Sequence, residues 1–111
     1  MSGTGGTVYD ATPPGSTCER LNFRTILNSP VPNVVSDVAK LAAMQTVILE
    51  IKIESRSNFK VAIACFEDRR VGAITSDALI RLIECTIQGY AYVAEVKSVS
   101  GARVEVQVYL K

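Results

Sequence analysis

The chemistry open to this chain is bounded first by a missing residue type. Its 111 residues include no histidine, which removes His-based triads, His metal ligands and His pH switches together. The nucleophiles that remain are three cysteines, Cys18, Cys65 and Cys85. A catalytic thiol needs an activating base or a positive environment, and the flanking residues supply neither. Cys65 lies inside the apolar run KVAIACF, where a neutral cysteine is a small hydrophobe. Cys18 stands beside Glu19, a charge that raises a thiol pKa. The count is odd, the spacing is wide and no CxxC occurs, which argues against a disulfide framework, a zinc site and a thioredoxin-type pair. The thiols are expected to be reduced, in a cytoplasmic protein.

Paired carboxylates are the next possibility. Glu50 and Glu54 share one strand face, and Glu95 and Glu105 face outward on the last hairpin. Acid–base work needs two carboxylates in different environments. Both pairs alternate instead with Lys and Arg, the pattern of a solvated sheet face. No nucleophile elbow, phosphate-binding glycine loop, dinucleotide fingerprint or acidic calcium loop occurs. No catalytic residue, metal or cofactor is expected.

The cations are more suggestive. Arg20 and Arg24 fall on one face of a predicted strand, Arg56 and Lys60 flank one turn, and Arg69 and Arg70 flank the next. Single-stranded nucleic acid is held by a basic groove with aromatic faces for the bases. The candidate contacts are Arg20, Arg24, Arg56 and Lys60 on phosphates, with Phe59 as the stacking face. Twelve Lys and Arg against eleven Asp and Glu leave a net charge of +1, too little for a strong basic field.

These residues need elements to position them. Apolar residues make up 48 % of the chain and charged residues 21 %, as in an ordinary soluble domain. One domain is expected over residues 18–111, after a flexible Gly-, Ser-, Thr- and Pro-rich tail over residues 1–17. Within that tail only Val8 and Tyr9 could dock. Met1–Gly15 has no Lys, Arg or apolar run, so it does not read as a leader peptide. Nor is any run long enough to span a membrane.

Alternation over Cys18–Leu27 predicts a strand. Asn33 is placed to cap a short helix through about Met44. Thr46–Glu54 directs Val47, Leu49, Ile51 and Ile53 to one face. Lys60–Phe66 is apolar on both faces, and Arg70–Thr75 carries Gly72, a sign of a bulge or a close backbone approach. A helix is predicted over Ser76–Gln88, with Thr75 or Ser76 as cap. Its expected apolar face is Leu79, Ile80, Leu82, Ile83 and Ile87, with Arg81, Glu84, Cys85 and Gln88 away from its centre.

Tyr90–Ser98 and Ala102–Leu110 close the chain as a hairpin. A loop of Val99–Gly101 pairs Val96 with Val104, whereas a loop of Ser100–Ala102 pairs Lys97 with Glu105; the first is favoured because it puts glycine in the left-handed position. The fold class is therefore α+β: a curved antiparallel sheet or small β-barrel of about six strands, with one well-defined helix and one short one. Its core is expected from Leu21, Phe23, Leu49, Ile51, Ile63, Ile74, Leu79, Ile83, Val96, Val104, Val106 and Val108.

The run from Val47 to Val108 resembles the HIRAN family. The shared features are a strand, a loop with Asn58, the apolar strand Val61–Ala64, then Val71-Gly72-x-Ile74 and a helix ending at Gly89. The resemblance implies a small barrel that binds single-stranded DNA ends. The Asp that the family usually carries before the apolar strand is replaced by Ser55-Arg56-Ser57-Asn58-Phe59-Lys60, so no family binding residue carries over. The opening Cys18-Glu19-Arg20-Leu21 is also similar to small bacterial proteins of mobile accessory genes, a resemblance that implies no activity.

Two functional classes follow. The first is a non-catalytic binding or adaptor module for a protein partner, self-association into a homodimer included. The second is a HIRAN-like module for single-stranded DNA. A small enzyme without a recognisable motif ranks third.

Overall fold

The computed structural model describes residues 14–111. The expected tail falls mostly before them: residues 1–13, with Val8 and Tyr9, lie outside the described residues. From there the chain runs α1 (Pro14–Glu19), β1 (Asn22–Ile26), α2 (Pro32–Ala42), β2 (Ile48–Ser55), β3 (Lys60–Phe66), β4 (Arg69–Ile74), α3 (Leu79–Ile87), β5 (Tyr92–Ser100) and β6 (Arg103–Leu110). The six strands make one antiparallel sheet in the order β1-β6-β5-β2-β3-β4, curled into a half-barrel. No helix among the described residues is long and apolar enough to cross a membrane.

Strand alternation builds the core. Val47 and Leu49 are buried, with Ile51 and Ile53 packed beside them. Opposite stand Val104, Val106 and Val108 of β6, all fully buried. Helix α2 adds Val34, Val35 and Val38, while α3 adds Leu82 and Cys85. Of the expected core, Ile63, Ile74 and Val96 are also buried, and Leu21, Phe23 and Leu79 pack against it half-buried. Ile83 is outside that cluster.

The curl is tied across its open seam. Leu27 N–H donates to the Val104 carbonyl on β6 (2.9 Å), while Asn28 exchanges two bonds of 2.8 Å with Ala73 on β4. Val31 N–H then donates to the Val71 carbonyl at 2.9 Å. Gly72 shows both features expected of it. The β3–β4 register shifts between Ala64 and Cys65, leaving Val71 as the extra residue. A Cβ on Gly72 would stand 2.9 Å from Leu27 Cβ and 3.0 Å from the Asn28 carbonyl.

Five local expectations are corrected. The first strand begins at Asn22, not Cys18, because Cys18 is held in α1: its carbonyl accepts the buried Tyr92 hydroxyl at 2.5 Å, and its sulfur is bonded to Cys85. The thiols expected to be reduced are thus, for two of three, a Cys18–Cys85 disulfide with a Cα–Cα distance of 5.6 Å. Wide sequence spacing concealed a close spatial pair. At α2 the cap is Val31, without a side-chain bond, and not Asn33; Pro32 suits the first helical turn through its fixed φ.

Helix α3 is shorter than expected, Leu79–Ile87, and is rolled about its axis. It buries Leu82 and Cys85 and turns Ile80 and Ile87 outward. The last hairpin takes neither expected register. Its pairs are Val96 with Val106, Ser98 with Glu105, Val99 with Val104 and Ser100 with Arg103. Gly101 holds φ +61° at the first position of a two-residue loop, as in a type II′ turn. A bulge at Lys97 resets the alternation, so Val96 and Val99 both face inward.

Three substitutions check this packing. Gly72→Ala should destabilise the fold by about 1–3 kcal/mol through overpacking against Leu27, read from urea denaturation. Leu82→Ala should cost about 2–5 kcal/mol. Ile83→Ala should cost less than Leu82→Ala, as at a half-buried position outside the core cluster; equal losses would return α3 to the orientation expected from its sequence.

Candidate functional site

The sheet is uneven in depth, and that unevenness creates a site. Strand β5 pairs with β2 only at Ile48, Glu50 and the residue between them, whereas β3 accompanies β2 as far as Ser55. Ile51–Ile53 therefore form a free edge of the β2-β3-β4 part of the sheet, and only Glu54–Ser55 with Lys60–Val61 project past β4 as a two-stranded arm. Val96 N–H donates to the Val47 carbonyl, so every second residue from Val47 directs its backbone groups toward β5. By that alternation Ile51, Ile53 and Ser55 point N–H and C=O at the side β5 has left. No strand among the described residues pairs with that side.

At the fork where β5 departs lies a cavity of about 370 Å³, lined by Ile48, Glu50 and Ile51 of β2, Thr86 of α3, and Tyr90–Val93 with Lys111. Its walls are largely apolar side chains. Ile48 is 45 % exposed. Tyr92 is anchored through its hydroxyl to Cys18, and burial pushes its pKa up, so it lines the site as a neutral, fixed ring. A free open edge beside an apolar cavity is suited to an extended chain, through strand pairing plus one or two side-chain pockets.

The arm ends in the turn Arg56–Phe59, closed by Arg56 N–H donating to the Phe59 carbonyl at 2.7 Å. The structure brings Arg56, Phe59 and Lys60 together on this tip, with Phe59 62 % exposed. Arg56 pairs with Glu54 at 3.2 Å. Arg20 and Arg24 lie elsewhere. Arg20 falls in the turn after α1 and so does not share a strand face with Arg24, because the strand starts only at Asn22. Arg24 sits on β1, three strands from β2 in the sheet order, bonded to Gln107 at 3.3 Å and 3.7 Å from Glu105.

The carboxylates form the solvated face expected of them. Glu50 stands 3.9 Å from Lys52, which bonds Asp68 at 2.9 Å. That contact holds the Asp68 carboxyl below its ordinary range and Lys52 above its own. Asp68 and Glu67 both adopt left-handed backbone, φ 65° and 49°, to make the tight β3–β4 turn. Burial pushes the Cys65 thiol up, away from the thiolate that reactivity requires.

Glu95 accepts hydrogen bonds from Lys97 and from the Tyr109 hydroxyl, each at 2.9 Å. The Lys97 bond, then the Tyr109 bond, hold its carboxyl below the ordinary glutamate range. Reasoning from sequence missed the open β2 edge and its cavity, because the stagger between paired strands leaves no mark on either strand alone.

A pH profile tests the Glu95 network. A depressed folded pKa stabilises above the unfolded value and the contribution fades as pH falls through the folded one. Urea midpoints should therefore drop between about pH 5 and pH 3, and Glu95→Gln should flatten that slope. An unchanged slope would show that Glu95 is not the group responsible. In comparisons with known proteins, no protein family matches the chain, and no curated protein or solved structure does.

Proposed function

We propose that this protein is a non-catalytic binding module that takes an extended segment of a protein partner along the open edge of β2. One observation carries the reading: β2 continues beyond the end of its β5 ladder, leaving the backbone groups of Ile51, Ile53 and Ser55 directed outward beside an apolar cavity. Main-chain bonds supply affinity in such a site, and alternate side chains of the guest supply specificity. The alternating Glu50, Lys52 and Glu54 on the outer face protect the edge against indiscriminate pairing. No catalytic role is assigned to the carboxylates, which lie in ion pairs. The Cys18–Cys85 disulfide favours an oxidising compartment over the cytoplasmic placement expected from the sequence.

A second reading has its own observation. Phe59 stands on the arm tip with Arg56 and Lys60, an aromatic face flanked by cations, as in a HIRAN-like module for single-stranded DNA.

Two measurements separate them. Random dodecapeptides displayed on phage should yield binders with alternating apolar residues, and the binders should slow amide exchange at Ile51, Ile53 and Ser55. Ile53→Pro removes one outward N–H and should abolish capture while the fold survives, since edge positions tolerate proline. Capture unaffected by that change would end the edge reading. For nucleic acid, fluorescence anisotropy with short single strands decides. Two tip cations give a log–log salt slope of about −1.4, and all four of Arg20, Arg24, Arg56 and Lys60 give about −3. Phe59→Ala should cost about 1–3 kcal/mol if a base stacks there. No binding at about 100 μM in low salt, well into the nonspecific range, removes the second reading.

A further inference from the structure

The free edge of β2 and the start of the described chain meet at one place. Cys18 is bonded to Cys85 with 5.6 Å between their Cα atoms, and Thr86, the next residue, lines the cavity at the fork together with Glu50 and Ile51. The Cys18 carbonyl also accepts from the hydroxyl of Tyr92, on the wall of the same cavity. From Cys18 back to Pro14 is about 6 Å of helix, at about 1.5 Å per residue. Two further residues of extended chain add about 7 Å, which brings Thr12 within reach of the fork. Ahead of it stand Thr7-Val8-Tyr9, three residues that favour strands, then Asp10 and Ala11.

We propose that residues 7–11 pair along the β2 edge as an antiparallel strand, so that a guest of this edge must displace the protein's own chain. The inference rests on the reading of that edge as a site for an extended segment. Direction follows from topology. Helix α1 is tied to the fork, where the free edge of β2 begins, so the chain traced back from Pro14 runs toward the Arg56–Phe59 tip. Its own N-to-C direction is therefore opposite to that of β2.

Register follows from charge. Ile51, Ile53 and Ser55 face the incoming backbone, and Glu50, Lys52 and Glu54 alternate with them on the outer face. Asp10 opposite Lys52 makes an opposite-charge pair, whereas a shift of two residues either way sets it against Glu50 or Glu54. A shift of one turns Asp10 to the inner face beside Ile51 or Ile53, where a carboxylate is costly to desolvate. A shift of four, onto Arg56, puts Pro13 opposite Ile53, with no N–H to offer. In the register that remains, Tyr9 stands opposite Ile53 and Ala11 opposite Ile51. Pro13 then falls opposite Leu49, where β5 already holds the edge. Pairing thus ends where the free edge ends. Because the segment is tethered a few residues from the fork, its effective concentration at the edge is high, and a guest competes against it.

Residue-resolved amide exchange of the full chain tests this without a guest. The Ile53 amide should exchange about tenfold more slowly than in Tyr9→Pro, which removes the N–H facing it, as for an edge that is free about a tenth of the time. That ratio should not depend on protein concentration. Asp10→Lys and Lys52→Glu, which keep the backbone donors, should each speed the Ile53 amide about two- to fivefold, and the double variant should slow it again. An Ile53 amide as fast in the full chain as in Tyr9→Pro overturns the proposal. So does a double variant no slower than the singles, and so does protection that grows with concentration, which would assign the edge to a second copy. Displayed dodecapeptides selected on Tyr9→Pro keep the two readings apart: they should bind that variant about tenfold more tightly than the full chain. Equal binding to both overturns the competition and leaves the edge as a site for a partner. Capture by neither, with Ile53 protection lost in Tyr9→Pro, supports the pairing and removes the partner reading.

Discussion

A missing Cβ is the constraint on which the fold turns. Where the backbone of Leu27 and Asn28 crosses β4, the Gly72 hydrogen lies where any other residue would place a carbon 2.9 Å from Leu27 Cβ. That closeness lets one short segment bond to β6 through Leu27 and to β4 through Asn28. The two ends of a six-stranded order are thereby joined. The same crossing delivers the chain to Val31 and Pro32, so α2 starts in the position that drops Val34, Val35 and Val38 into the core. A left-handed residue, Ser29 at φ 50°, turns the chain between the two.

The opposite side of the core is held by a second tie. The Cys18–Cys85 disulfide, together with the Tyr92 hydroxyl on the Cys18 carbonyl, pins α1 to α3 and to the start of β5. Closing a loop with a sequence separation of 67 residues removes unfolded-state entropy equivalent to about 4 kcal/mol in the chain-entropy account. The tie also explains the roll of α3. Cys85 must face inward to reach Cys18, and on a helix Leu82 follows it inward at a spacing of three. Ile80, Ile83 and Ile87 are then left outside by geometry, not by weak hydrophobicity.

This division marks how far the fold was legible in the sequence. Wherever one face alone was apolar, period-two alternation placed the buried residues correctly, as at Val47, Leu49, Ile51 and Ile53 and again at Val104, Val106 and Val108. Glycine with a specific backbone duty was readable too: Gly72 makes the close approach to Leu27 and stands next to the bulged Val71. Helix α3 was misread because both its faces are apolar, so hydrophobicity could not rank them and the deciding contact was a disulfide to a residue 67 positions away. The last hairpin was misread because a bulge at Lys97 is a one-residue change of register, and both simple registers already aligned valines. On the arm, proximity in sequence was enough to group Arg56, Phe59 and Lys60. It could not group them with Arg20 and Arg24, which depend on strand order.

Electrostatics narrows where recognition can occur. On the outer face the charges largely neutralise one another in place: Glu50 and Asp68 with Lys52, Glu54 with Arg56, Glu95 with Lys97, Glu105 with Arg24. Such exposed pairs contribute little to stability, but they leave little net field to attract a polyanion over the broad face. Asp37 likewise occupies Arg69, which also lies 5.8 Å from the Phe66 ring. What remains unsatisfied is of another kind. It includes outward backbone groups on β2, an exposed phenyl ring at the arm tip and exposed isoleucines on α3. Directional bonding and apolar contact, more than long-range attraction, are the means this surface offers a partner. That balance is why an extended protein segment takes precedence over a nucleic acid strand in the functional assignment.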